Sequence, residues 1–196
     1  MEVPGKKRGT TKIFDTDEHP RPDATLESLA KLSPVFDRKS GVVTAANASG
    51  INDGAGSIIV ASEKAVKEHN LTPLCRLVSY GIVGCDPMVM GIGPVPAIQQ
   101  ALKRAGDLSL ENDVDRIEIN EAFAAQFLAC AKELKLDMDK TNIHGGAISL
   151  GHPLGASGSR IVAHLANEFQ RTDAKIHVGS ACIGGGQGIA VVLEAP

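Results

Sequence analysis

Between Leu74 and Leu193 short apolar runs alternate with helix-patterned stretches, and this alternation restricts the chain to a layered α/β architecture. Leu74–Ser79 reads as a strand. Pro94–Gly106 reads as a helix with Ile98, Ala101, Leu102 and Ala105 on one face and Gly106 as its stop. Val114–Ile119 predicts a strand and Ala122–Leu136 a helix. A loop over Asn142–Pro153 leads to a helix over Gly155–Gln170, then to a strand over Lys175–Ala181. The turn Cys182–Gly188 joins it to a last strand, Ile189–Leu193.

Upstream, Gly41–Ser62 predicts strand, turn, strand: Val42–Ala46, a small-residue turn over Asn47–Gly56, and Ser57–Ser62. A helix over Glu63–Asn70 follows. The same strand–turn–strand grammar closes the chain about 135 residues later, which points to an internal duplication whose first copy is present only as its tail. Residues 1–40 are polar and rich in Pro and Gly, with one short helix predicted near Thr25–Leu32. They do not read as a self-sufficient domain.

Bulk properties narrow the function. Apolar residues make up 43% of the 196, enough for a packed core, whereas aromatics are 3% and tryptophan is absent. Glycine (21 residues) and alanine favour close backbone packing and leave little for stacking on bases. Formal charge is −3 without a basic stripe, which excludes an electrostatic footprint for nucleic acid. Lys6, Lys7, Arg8 and Lys12 read as a solvated arm. No apolar run approaches the ~20 residues of a membrane span, and Met1–Lys7 has no signal-like apolar core. Cys75, Cys85, Cys130 and Cys182 show no C-x-x-C spacing, so no metal site is expected and a reducing compartment fits.

The chemistry concentrates on tight loops. His152 stands between two glycine-rich turns and directly before Pro153, which biases it toward extended backbone at the mouth of the following helix. Cys182 precedes the run Ile183-Gly184-Gly185-Gly186-Gln187-Gly188, and Asn120 closes an apolar strand. Taken singly, Asn120 is as well explained as a helix N-cap, His152 as a structural histidine and Cys182 as core. Together they form a coherent set. Glycine-turn amides or an imidazole promote a thiolate, a helix start keeps an imidazole neutral, and an amide donor stabilises developing negative oxygen. That combination suits acyl transfer or proton abstraction beside a carbonyl. His19, His69, His164 and His177 read as ordinary, with no partner at metal-ligand spacing, while His144 shares the His152 loop.

Asn120-Glu121-Ala122-Phe123, Gly151-His152-Pro153-Leu154-Gly155-Ala156-Ser157-Gly158 and Cys182–Gly188 together resemble three signatures of the thiolase family, in the family's order. Asn47–Ala55 resembles a fourth block, so the likeness covers essentially the whole chain. It implies an α/β fold: a thiolase-like layered α-β-α sandwich, with one complete βαβαβαββ half and the tail of the other. Residues 1–40 would end the loop domain, 41–71 would close the N-terminal thiolase domain, and 72–196 would form the C-terminal domain.

By the same resemblance His152 would activate the nucleophilic thiol and, with Asn120 through a bound water, help form the first oxyanion hole. Cys182 would be the acid/base at the substrate α-carbon, and Gly184 would lend its amide to a second oxyanion hole. Arg21, Ser28, Ser49 and Phe36 match positions that contact coenzyme A, for which the guanidinium of Arg21 has independent suitability. The implied activity is acyltransfer on 3-ketoacyl-CoA, with coenzyme A or acyl-CoA as substrate and no covalently bound cofactor. The branch resembled is the mitochondrial-type 3-ketoacyl-CoA thiolases, with acetoacetyl-CoA thiolases close behind; it implies the mitochondrial matrix and a homo-oligomer in the complete enzyme. The family's nucleophile is a cysteine upstream of these motifs, and Cys75, Cys85 and Cys130 lack its context. The chain is therefore expected to lack the nucleophile-bearing half and to be inactive alone. A non-catalytic interaction partner and a truncated gene product are the alternatives.

Overall fold

The structure, a computed structural model, describes residues 1–196. Strands β1 (Glu2–Pro4) and β2 (Thr11–Ile13) pair as a small antiparallel ribbon, followed by the single-turn helix α1 (Leu26–Leu29) and helix α2 (Glu63–Glu68). The main body comprises β3 (Arg76–Gly84), a 3-10 turn over Pro87–Ile92, α3 (Pro94–Arg104), β4 (Arg116–Ile119) and α4 (Ala124–Leu134). It continues with α5 (Ala147–Leu150), α6 (Ser157–Glu168), β5 (Ile176–Ile183) and β6 (Gln187–Glu194).

Four strands make one sheet in the order β3-β6-β5-β4, with β4 parallel to β5 and the other pairs antiparallel. A lone parallel bridge from Ile117 to Thr141 extends it beyond β4, where a fifth strand would lie. Helices α3 and α4 cover one face. Val95, Ala97, Ile98, Ala101, Leu102, Phe127 and Cys130 pack there on Ile117, Ile119, Val178, Ala190 and Val192. Helix α6 covers the other face through Ile161, Leu165 and Phe169 against Leu193. Burying each Val, Leu, Ile or Phe among them contributes roughly 1.5–3 kcal/mol, so these two layers supply most of the cohesion.

The small-residue composition has a direct structural use. A side chain at Gly81 of β3 would overlap the Ala97 carbonyl of α3, and one at Gly179 of β5 would press within 3.0 Å of Ile161 and Leu165 of α6. Glycine lets both helices ride close to the sheet. Helix α3 begins with Pro94 in its first turn and ends with Lys103 and Arg104, then Gly106 at φ +102°. Helix α4 ends where Lys135 turns left-handed (φ +52°).

Several expectations need correction. The strand–turn–strand predicted over Gly41–Ser62 does not form: no strand occurs between 42 and 61, and Ile59 and Val60 are 91% and 78% exposed. A strand requires a neighbour for its N–H and C=O groups, and the only attachment of this segment to a strand-like partner is the bridge from Ala48 to Phe123. The helix near Thr25–Leu32 shrinks to one turn, held by a reciprocal Thr25–Ser28 capping box, and its apolar Leu26 is 81% exposed. Strand β3 runs further than the predicted Leu74–Ser79, through a bulge at Leu77/Ser79. The predicted 142–153 loop contains α5.

Candidate active site

His152 is built in from three sides. Its backbone N–H donates to Gly50 O (2.8 Å), which pins it to the extended 47–56 segment. Gly151 before it sits at φ +94°, and any side chain there would collide with the Asn52 amide. The ring is bonded at both nitrogens: Nδ1 lies 2.6 Å from Ser157 Oγ and Nε2 lies 3.2 Å from Asn120 Nδ2. Ser157 donates its own hydroxyl proton to Pro153 O (3.1 Å), so the network assigns Nδ1–H as donor to Ser157. Nε2 is then the basic lone pair, facing the Asn120 amide. Burial, reinforced by the positive charge of Arg160, holds the imidazole below its ordinary pKa. His152 is therefore neutral at pH 7 and competent as a base.

Asn120 is fully buried at the end of β4, where its N–H donates to Ser180 O of β5 (2.9 Å). Its Oδ1 has no partner, an unusual state for a buried amide oxygen. Next to it, Glu121 accepts from Asn142 Nδ2 (2.8 Å) and from the Ile148 N–H (3.3 Å), which ties the 142–148 loop to the end of β4. Ser49 donates to Ala122 O through both its N–H and its hydroxyl (3.0 Å each), and Phe36 meets Phe123 edge to face at 5.9 Å.

Cys182 lies near the end of β5, opposite Gly188 of β6, one strand over from Asn120. Gly185 and Gly186 turn the chain at φ +82° and +81°, and Gly184 borders open space. The sequence leads one to expect a thiol made acidic by the glycine turn; the structure reverses the sign. Burial pushes the Cys182 thiol up, the nearby Cys85 adds to this, and its own backbone hydrogen bond only partly offsets it. Cys182 rests as the neutral thiol, a proton donor. Cys130 behind it is pushed up further, to about 11, chiefly by burial.

Asn120, His152, Ser49 and Phe36 are thus gathered around the 120–123 loop, and β4–β5 pairing brings Cys182 and Gly184 to the same sheet end. No hydrogen bond links His152 to Cys182. Arg21 and Ser28 are not drawn in. Arg21 donates to the carbonyls of Glu18, His19 and Pro20 and lines a surface cleft of about 540 Å³ that contains none of the other site residues. Ser28 caps α1. Ser157, Glu121 and Gly50 complete the site without having been singled out; the nearness of Ser157, five residues after His152 at the start of a helix, was the available signal. His19 Nε2 donates to Ile148 O (3.0 Å), and His177 is buried against Phe169. His144 and His164 meet each other at 5.2 Å, away from His152's bonded partners.

Comparison with known proteins matches this arrangement to a family. Residues 71–195 match the thiolase C-terminal domain and residues 1–64 the thiolase N-terminal domain. The chain belongs to the thiolase family. It is 62% identical over 195 residues to the mitochondrial 3-ketoacyl-CoA thiolase of Homo sapiens, covering 100% of this chain and 48% of that one. It is 50% identical over 194 residues to the acetyl-CoA acetyltransferase of Thiocystis violacea, covering 99% and 48%. The crystal structure of human mitochondrial 3-ketoacyl-CoA thiolase in complex with CoA superposes with a TM-score of 0.89 at 62% identity, over 93% of this chain and 46% of that one. The chain spans about half the length of the curated relatives it matches. The match at 1–64 also narrows the expectation of a missing first half, because part of the N-terminal domain is present.

Proposed function

We propose that this chain carries the acid/base portion of a thiolase-type acyltransferase that cleaves 3-ketoacyl-CoA with CoA, or runs the reverse Claisen condensation. The observation that carries the reading is the Asn120–His152–Ser157 network, a neutral imidazole whose Nε2 lone pair faces a buried amide. In this reading a cysteine thiol, supplied by a first-half segment, loses its proton to His152 Nε2 and adds to the keto carbon. The oxyanion is met by the Asn120 and His152 side chains. The Cα–Cβ bond breaks, and Cys182 delivers its proton to the α-carbanion, giving acetyl-CoA. The Cys182 thiolate then takes the proton of incoming CoA, whose sulfur accepts the acyl group and frees the first cysteine. A thiol held neutral by its surroundings suits the proton-delivery step. Gly184, facing open space, is the reading's second oxyanion donor.

In this reading Arg21, Ser28 and Ser49 would contact coenzyme A, and Phe36 would pack near its pantetheine arm. The domain division at 1–40, 41–71 and 72–196 belongs to the same proposal, as does residence in the mitochondrial matrix, for which the mitochondrial relatives speak. No helix is long and apolar enough to cross a membrane. The exposed run Ile58, Ile59, Val60 and the exposed Tyr80 and Ile82 favour a second reading, in which the chain works by docking onto another thiolase chain. The test is co-expression with a chain supplying the first half, followed by a thiolysis assay. Activity that requires both His152 and Cys182 supports the enzyme reading. Undiminished turnover in His152→Ala and Cys182→Ala, with a stable complex, supports the second. Native-like turnover by the 196 residues alone contradicts the need for a supplied nucleophile.

A further inference from the structure

His144, His164 and Glu168 converge beside α6, with one potential ligand atom from each lying within 4.8 Å of the others. His164 and Glu168 are one helical turn apart on the same side of α6, and His144 reaches them from the 142–146 loop. Glu168 is 3% exposed, yet its Oε2 accepts no hydrogen bond. The nearest nitrogens stand off from that oxygen: His144 Nδ1 and the exposed Arg171 Nη1 are each 3.9 Å away. A carboxylate oxygen buried without a bonded partner is costly unless something supplies positive charge.

An ordinary ion pair does not account for the arrangement. His164 is partly buried and meets the His144 ring edge to face, with centroids 5.2 Å apart, so both imidazoles border the Glu168 oxygen. Glu118, a second buried carboxylate, puts Oε1 3.6 Å from His164 Nε2 while its Oε2 accepts from Arg160 (2.8 Å). Two buried carboxylates thus flank His164, with Arg160 committed to Glu118 and the exposed Arg171 3.9 Å from Glu168. We propose that His144, His164 and Glu168 bind a divalent first-row transition-metal cation of the zinc type. Two imidazoles and one carboxylate suit such an ion; calcium and magnesium prefer oxygen alone, and copper(I) prefers sulfur. Ligand atoms around a tetrahedral zinc ion lie ~3.4 Å apart. Closure needs an inward movement of the order of 1 Å, which the half-exposed His144 on its loop has room to make.

Binding there would fasten the 142–146 loop to α6. Asn142 in that loop holds Glu121, and α6 begins at the serine that holds His152, so an occupied site stiffens the base's support from two directions. The test uses the full 196-residue chain with its cysteines alkylated, freed of metal, and titrated with zinc against a chromogenic chelator. Stoichiometric binding is expected, weakened more than roughly 10-fold in His144→Ala and Glu168→Gln, since loss of even an outer-shell partner costs 10–100-fold. Absence of stoichiometric binding, or unchanged affinity in His144→Ala, overturns the proposal. X-ray absorption on the zinc-loaded unmutated chain gives an answer independent of variant folding: two imidazoles and no sulfur are expected, and fewer than two imidazoles reject the site.

Discussion

Residues 1–70 and 71–196 obey the same sequence grammar and fold differently. All 37 buried residues lie at or beyond Ser79; the first 70 contribute none. Val42–Ala46 and Ser57–Ser62 are as strand-like in composition as Ile176–Ile183, but only the last has neighbours on both sides, β4 and β6. The lesson is that apolar alternation specifies which face a strand would bury, while pairing decides whether there is a strand at all.

The sharpest way to break this contrast is native-state amide hydrogen exchange. Protection in β5 and β6 should approach the global stability, of order 5–15 kcal/mol for a domain, and should be near zero over 42–61. Comparable protection in the two regions would refute it. Addition of a first-half chain should raise protection over 57–62 if that segment is a strand awaiting its neighbours. Next in size, Leu165→Ala should destabilise the chain by about 2–5 kcal/mol in urea unfolding, against less than about 0.5 kcal/mol for Ile59→Ala. Equal losses would mean that residues 1–70 share the core.

The site sits on the seam between the regions, so Ser157→Ala probes it without touching the reacting atoms. In the complemented enzyme kcat should drop roughly 5-fold with KM little changed, as expected for one lost hydrogen bond of about 1 kcal/mol. The acid limb of the pH–rate profile should shift as well, because the ring loses its orienting partner; Ser157→Thr should restore part of both. A KM effect alone would assign Ser157 to substrate binding. The smallest effect expected is on pH dependence. His152, His164 and His177 have folded pKa values below the unfolded value of ~6.5, each chiefly through burial. The unfolded chain binds protons first as pH falls, so stability is full above ~6.5 and declines below it until the folded values are passed. The urea midpoint should fall between pH 7 and 5, and less steeply in His177→Asn.

Much of the second region could be read from the residues. Helix α3 is marked by Ile98, Ala101 and Leu102 and bounded by Pro94 and Gly106, and α6 falls within the predicted Gly155–Gln170 stretch; these signals are local. What escaped reading depended on distant partners. The Gly41–Ser62 hairpin failed for want of neighbours, and β3 gained length from β6. At the site, the Asn120–His152 pairing followed from motifs, but the direction of the Cys182 thiol did not. A glycine turn suggests stabilised negative charge, whereas burial against the protein interior and Cys85 decides the outcome. Arg21 and Ser28 were placed by likeness, Arg21 also by the suitability of a guanidinium for phosphate; here Arg21 donates to neighbouring carbonyls and Ser28 caps α1.

The bond from the His152 ring to Ser157 has a mechanical meaning. It anchors the imidazole to the leading turn of a rod ~18 Å long, whose trailing turn carries His164 and Glu168. Whatever grips or tilts that trailing end re-aims the proton acceptor at the other, so events at one end of α6 are transmitted to the chemistry without passing through the sheet.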